Sequence, residues 1–206
     1  MATNNLILQL SNARKNILDI LYYHQDYDIS SYKNFSISEI DAMYTNEQLD
    51  MLCQKAGGGN KTYVKFYVNK TLRANMIDSI VTNLYEDVLK KNDTLIIIVL
   101  DEPNESICTY LNHIWKNKGI FIVIHNIKRL QYNILEHDLV PHMTILNDEE
   151  VNKLKIDMNL TSVKQLPEIG RFDPQSLAMS VRPGNVCKIT RKSVTSLEND
   201  YYRICV

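Results

Sequence analysis

The chain is expected to fold as an α/β domain, a mixed sheet flanked by helices, over residues 1–136, followed by a small α+β domain over residues 137–206. Three features lead there. Leu95 to Leu100 is a continuous apolar, β-branched run, the pattern of a strand buried on both faces. Strand-like and helix-like stretches alternate around it as β-α-β-α-β, the order that builds a sheet between helices. After Glu136 the pattern changes to short segments marked by caps and turns, ending in a hairpin.

The elements follow in chain order. Leu10, Ala13, Ile17, Leu21 and His24 recur at spacing three to four, which predicts an opening amphipathic helix. A second helix is expected over Asn46 to Lys55, stopped by Gly57-Gly58-Gly59. Tyr63, Lys65 and Tyr67 alternate with Val64, Phe66 and Val68 as a strand does. Met76, Ile80, Leu84 and Val88 line one face of a helix ending near Lys90-Lys91-Asn92. After the buried strand, Ile107, Tyr110, Leu111 and Ile114 mark a helix closed by Lys118-Gly119, and Ile120 to Ile124 is again a strand. In the second domain, Asn147 with Glu150 three residues later has the form of a capping box, with Val151 and Leu154 behind it. Asp173-Pro174 is a second helix start, since Pro is tolerated where its missing N–H costs nothing. Arg182-Pro183-Gly184 is a turn, Val186 to Thr190 a strand, and Ser196 to Asp200 the return into Tyr201 to Val206.

Composition narrows the function. The chain has 206 residues, 45% of them hydrophobic and 23% charged, as in ordinary globular proteins. The longest apolar run is far too short to span a bilayer, and Met1 to Leu10 has no basic head or sustained apolar core, so neither a membrane nor a secretory signal is expected. Cys53, Cys108, Cys187 and Cys205 are too scattered for a zinc ribbon and read as small buried hydrophobes. Residues 137–206 hold nine Lys plus Arg and nine Asp plus Glu, leaving 14 basic and 15 acidic of the chain's 23 and 24 before them. Neither part is basic. A protein that binds nucleic acid unaided draws most of its affinity from neutralising phosphates, so anything that brings this chain to DNA is another molecule's grip.

Two segments imitate an ATPase. Leu95 to Leu100 runs into Asp101-Glu102 as a Walker B strand does, and Gly57-Gly58-Gly59-Asn60-Lys61-Thr62 ends in Lys-Thr as a Walker A loop does. The loop needs glycines at two fixed places before the Lys, and here Lys55 and Asn60 hold them. It also needs to open a helix, whereas this one is expected to run from helix into strand, leaving no helix N-terminus for phosphate. His24, His113, His125, His137 and His142 have no acidic or cysteine partner at a telling spacing. A nucleotide hydrolase or nuclease-like centre at Asp101 and Glu102 stays as the alternative, and clear activity abolished by Asp101→Ala is its signature.

The tail carries the strongest signal. In order stand His137-Asp138-Leu139-Val140-Pro141, Gln165-Leu166-Pro167-Glu168-Ile169, Asp173-Pro174, Arg182-Pro183-Gly184-Asn185-Val186-Cys187-Lys188-Ile189, Arg191-Lys192-Ser193-Val194-Thr195-Ser196 and Tyr202-Arg203-Ile204-Cys205-Val206. This series resembles the fifth shared subunit of the eukaryotic nuclear RNA polymerases I, II and III, a family that includes its archaeal counterpart. Asn133 to Pro141 is similar to that family's interdomain linker, and Arg14-Lys15-Asn16-Ile17-Leu18 to Tyr27 to its opening helix. Two departures stand out: His142 falls one place early after Pro141, and Leu197-Glu198-Asn199-Asp200 replaces a glycine-led hairpin tip.

The resemblance implies a non-catalytic subunit of a DNA-dependent RNA polymerase, without cofactor, metal or catalytic residues of its own. Its N-terminal domain would be a jaw facing downstream double-stranded DNA, with a nuclease-like fold. Its C-terminal domain would dock on the largest subunit, near the small shared subunit. The DNA-proximal jaw loop would fall on Pro103, Asn104 and Ser106, with Glu102 and Glu105 repelled by phosphate. Assembly would rest on His137, Leu139, Val140 and Pro141, on Pro167, Asp173, Pro174 and Gly184, and on Arg191, Ser193, Tyr202 and Arg203. Most of these also have a fold role: the prolines and Gly184 set turns, Asp173 caps a helix, and Tyr202 is half-buried. Lys188, Arg191, Lys192 and Arg203 read either as a cationic hairpin face or as a solvated strand face. The surplus of Asn, Ile, Lys and Tyr is similar to the version encoded by large cytoplasmic DNA viruses of the asfarvirus type. Host cytoplasm and virion follow if the gene is viral, the nucleus if it is cellular. A stand-alone transcription regulator built on the same module is a third reading, separated by copurification.

Overall fold

The computed structural model describes residues 2–193 and 195–206, so Met1 of the leader reading and Val194 of the tail motif lie outside the described residues. The chain divides into two compact units, Met1–Asn133 and Ile134–Val206.

The first unit opens with helix α1 (Ala2–Gln25), which buries the expected stripe of Leu10, Ala13, Ile17 and Leu21 and widens it with Arg14, Leu18 and Ile20. It stops where Asp26 takes a left-handed φ of 58°. Strand β1 (Tyr27–Asp28) and helix α2 (Ile37–Thr45) follow. The helix expected over Asn46 to Lys55 is not there. Ser36 and Glu39 form a reciprocal capping box that starts α2 earlier, and Glu47 at φ 56° closes the segment after it. Met51 to Lys55 is instead strand β2, burying Met51 and Cys53 on alternate positions.

Gly57 and Gly58, at φ 90° and 79°, turn β2 back into β3 (Lys61–Tyr67), which pairs with it antiparallel. Then come α3 (Ala74–Asp87), β4 (Thr94–Val99), α4 (Glu105–Lys118) and β5 (Phe121–Asn126). Strands β3, β4 and β5 are parallel neighbours, and the five-stranded sheet runs β1-β2-β3-β4-β5. Every residue of β4 and β5 is buried. Parallel strands joined by helical crossovers are right-handed, which puts α3 and α4 on one face. The other face needs a cover, and α1 with its broad apolar stripe is the long element that supplies it.

Helix α3 keeps the expected inward positions Ile80, Leu84 and Val88, and departs from expectation at its start, where Ile77 rather than Met76 turns inward. Ile77, Ile80 and Val81 are buried, Leu84 and Val88 half-buried, and Met76 exposed. Positions 77, 80, 81, 84 and 88 make one inward stripe at the helical period. Helix α4 begins on Asn104, whose side chain accepts from Ile107 N–H at 3.0 Å, and ends on Gly119 at φ 67°.

The second unit is built on a four-stranded sheet ordered β6-β8-β9-β7. Its elements are β6 (His142–Ile145), α5 (Asp148–Asp157), β7 (Glu168–Ile169), α6 (Pro174–Ala178), β8 (Val186–Ser193) and β9 (Leu197–Cys205). The capping box at Asn147 and Glu150 and the Asp173 cap with Pro at the first helical turn form as expected. Alternate residues of the hairpin feed two cores. Cys187, Ile189 and Cys205 pack with Met143, Met179 and Val181 on one face, while Val186 and Ile204 pack with Leu154 and Leu166 on the other. The turn of the hairpin is shorter than expected. Glu198, Asn199 and Asp200 are paired strand residues opposite Lys192, Arg191 and Thr190, and Leu197 at φ 58° opens β9. Cys53, Cys187 and Cys205 are buried thiols, pushed up by that burial to about 11, 12 and 11, so they stay protonated and inert.

Candidate functional site

In the first unit, the phosphate-loop look-alike comes apart in register. Thr62 of β3 lies level with Thr94, at the start of β4, while Asp101 follows the far end of that strand. At the rise of a β-strand the two are roughly 20 Å apart. The glycine loop joins two antiparallel strands, so it presents no helix N-terminus to a phosphate. The sheet order never reverses, so the switch-point crevice where open α/β sheets bind ligands is missing as well.

Glu102 is already engaged: Arg129 donates to one of its oxygens through Nε at 3.2 Å and Nη2 at 2.9 Å. Among the described residues no group of three or more His, Cys, Asp or Glu is placed to hold a metal. His125 is a core residue whose burial, with Arg129 nearby, lowers it to about 4, leaving it neutral at neutral pH. The loop residues Pro103, Asn104 and Ser106 sit between β4 and α4, with Pro103 half-buried, Asn104 committed to capping and Ser106 open to solvent.

In the second unit, the proposed assembly residues sort by what they hold. The N–H of Val140 donates to the His137 carbonyl at 2.8 Å, and the His137 ring Nδ1 accepts from Leu139 N–H at 3.2 Å. The Pro141 carbonyl accepts from the Gln175 amide at 2.6 Å, which ties the entry of β6 to α6. Pro167 offers its carbonyl to Ile204 N–H at 2.9 Å, and Arg203 donates from Nη1 to the Glu168 carbonyl at 2.9 Å. Both bonds fasten the short β7 to β9. Asp173 caps α6 by accepting from Gln175 N–H at 3.0 Å, ahead of Pro174. Tyr202 packs against the Leu154 core. Ser193 meets Thr195 at the hairpin end.

Gly184 takes φ 95° and donates its N–H to the Cys205 carbonyl at 2.9 Å. A Cβ there would meet nothing within 4 Å, so Gly184→Ala carries backbone strain alone. It is expected to cost about 1–2 kcal/mol, read as a lower unfolding midpoint in thermal denaturation with the folded spectrum unchanged.

The four basic hairpin residues do not form one face. Strand register puts Lys188 and Lys192 on the side of Tyr202, and Arg191 and Arg203 on the side of Tyr201. Lys188 is also paired, its Nζ 2.9 Å from Asp200, which accepts from Thr190 Oγ1 at 2.8 Å. These bonds, Lys188 first and Thr190 second, hold the Asp200 carboxyl below the usual carboxylate range. A depressed carboxyl stabilises the fold at neutral pH and loses that contribution as pH falls through its own lowered value. In an NMR titration Asp200 should therefore be the late-protonating carboxyl of the hairpin, and Thr190→Val should move it back toward the usual range.

What remains free is apolar or stacked. Leu139 is 86% and Leu197 87% exposed, and the Arg191 guanidinium lies over the Tyr201 ring at 5.5 Å. Tyr201 and Ile156, the last 76% exposed on α5, are surface residues that the sequence motifs do not single out. Tyr201 was accessible to reasoning in principle, since once the hairpin register is fixed it shares a face with Arg191. On one face of the hairpin the exposed Tyr201 ring lies beside the Arg191 guanidinium, a pairing suited to contact with another surface.

Comparison with known proteins converges on the same segment. The family described as "RNA polymerase Rpb5, C-terminal domain" matches residues 132–205. The DNA-directed RNA polymerase subunit Rpo5 of Thermococcus kodakarensis is 40% identical over 76 residues, 37% of this chain and 92% of that protein. Rpo5 of Methanococcoides burtonii is 33% identical over 76 residues, again 37% of this chain and 96% of that protein. Rpo5 of Archaeoglobus fulgidus is 35% identical over 77 residues, 37% of this chain and 100% of that protein.

Proposed function

The chain belongs to the Rpb5/Rpo5 family of DNA-directed RNA polymerase subunits, and from that membership we propose that its second unit is the docking module and its first unit a jaw beside downstream DNA. It is a non-catalytic subunit of the polymerase; nucleotidyl transfer belongs to other chains.

One observation carries the division of labour. The family model covers residues 132–205, almost the whole of the unit Ile134–Val206 with its own sheet and cores, and the archaeal relatives are matched over nearly their whole length. A module that is a complete subunit elsewhere is the part that meets the rest of the enzyme. Its proposed partners are the largest subunit and the small shared subunit, met through Leu139, Val140 and the Arg191–Tyr201 side of the hairpin. His137, Pro141, Pro167, Asp173, Pro174, Gly184, Ser193, Tyr202 and Arg203 shape that surface from behind.

The first unit is read as the jaw, nuclease-like in architecture and without chemistry. The near-balance of 14 basic and 15 acidic residues before His137 supports a role in which docking supplies the affinity and DNA contacts are few. The lip at Pro103, Asn104 and Ser106 is the proposed DNA-proximal edge. The Arg129 pairing of Glu102 removes part of the repulsion that a bare carboxylate would exert there. The Asn-, Ile-, Lys- and Tyr-rich composition supports a viral version of the asfarvirus type, acting in the host cytoplasm and carried in the virion, whereas a nuclear location would mark a cellular gene.

Site-specific photo-crosslinking in the assembled enzyme tests the assignment. A crosslinker at Leu139 should capture the largest subunit, and one at Ser106 should capture template DNA downstream of the active centre. Capture of DNA from Leu139 and of the largest subunit from Ser106 would reverse the roles of the two units.

A further inference from the structure

Arg14 is a buried cation. It projects from α1 at 3% exposure, donates from Nη1 to the Leu49 carbonyl at 2.8 Å, and leaves Nε with no partner. Its guanidinium lies 5.8 Å from the Tyr32 ring centre and 5.2 Å from that of Phe35. Among the described residues no carboxylate pairs with it. Burial pulls its pKa down, but a guanidinium stays charged in proteins. A desolvated charge with an unused donor is an arrangement that folding alone does not favour.

The same guanidinium lines a crevice of about 250 Å³. Leu18, Ile29 and Ile40 give it apolar lining, to which Tyr32 and Phe35 add their rings. Arg14, Lys15 and Lys33 are the cations of its lining and Asp19 the carboxylate, with Asp28 near Lys33 outside it, so the lining favours an anion. Lys33 is partly committed, its Nζ lying 4.2 Å from the Tyr22 ring.

We propose that this crevice receives a carboxylate side chain of a partner polypeptide, held by the Arg14 guanidinium. The planar fork of arginine matches a carboxylate, and charge-assisted bonds of this kind are the strong ones. The apolar walls select a peptide over a free oxyanion, because an inorganic ion would fill only the charged floor and leave the walls uncovered. The site belongs to the first unit, so it stands or falls independently of the docking assigned to the second.

The test uses the whole chain and the Arg14 Nε–H resonance. The probes are capped Leu-Glu-Leu, capped Leu-Gln-Leu and inorganic phosphate. The Glu peptide should shift that resonance saturably, with affinity roughly tenfold above the Gln peptide and above phosphate. A response to phosphate equal to that of the Glu peptide would overturn the proposal in favour of a general anion site. No saturable response to the Glu peptide would overturn it outright.

Discussion

A chain cut down to residues 134–206 is expected to stay bound to the polymerase core through high-salt washing, in the same molar amount as the full chain, while the complementary piece 2–133 is washed away. The cut falls where the chain itself divides into compact units. The retained piece keeps a complete sheet, β6-β8-β9-β7, and a core on each of its faces. The archaeal subunits that this chain resembles are matched over nearly their whole length by about 76 of its residues, close to the size of the retained piece. The discarded piece has near-balanced charge, so phosphate neutralisation is expected to give it little hold on DNA by itself. Retention of 2–133 with loss of 134–206 would place docking in the wrong unit.

The second large effect is a selective unfolding. Ile97→Asp should destroy the cooperative transition of the first unit and leave the second standing. Ile97 is at 0% exposure in the middle of β4, paired with Lys65 on one side and Ile124 on the other. Burying an unpaired carboxylate costs several kcal/mol even after relaxation, against a total stability of about 5–15 kcal/mol for a domain. Ile97→Val, which removes one methyl group, should cost only about 0.5–1.5 kcal/mol. Hydrogen exchange reads the outcome: amides of β3, β4 and β5 should lose protection in the Asp variant, while those of β8 and β9 keep theirs. Equal loss in both sheets would contradict the division into separately stabilised units. The variant should still copurify with the polymerase, which joins this prediction to the first.

What was legible in the sequence was local chemistry. The run Leu95 to Leu100 announces a strand covered on both faces, and β4 is buried throughout. Asn147 with Glu150, and Asp173 with Pro174, announce helix starts because each satisfies backbone N–H groups within one turn, and both form. Where the outcome depends on a partner far along the chain, the residues alone were ambiguous. Asn46 to Lys55 has the composition of a helix, but Met51 and Cys53 are drawn into a strand by pairing with Val64 and Thr62. Strands β6 and β7 are too short to show a period, and they exist because β8 and β9 offer them edges. The start of the α3 stripe was misplaced by one residue, since Met76 and Ile77 satisfy the spacing equally well and only packing separates them.

The same distinction applies to function. The tail motifs identified the module, yet their residues turned out mainly to fasten it: Asp173 to its own helix, Arg203 to β7, and Gly184 to the end of β9. The exposure of Leu197 and of Tyr201 beside Arg191 became visible only with strand register. The Arg14 crevice draws on residues from Ser11 to Ile40 and on the Leu49 carbonyl, a grouping that sequence spacing does not display.

The decisive measurement is the stoichiometry of a tagged full-length chain recovered from the cells in which it works. One copy of the chain per copy of each of the two largest polymerase subunits, undiminished by high salt, is the result expected of a subunit whose surface is built for docking. Recovery of the chain alone, with the two largest subunits absent or in trace amounts, would contradict it.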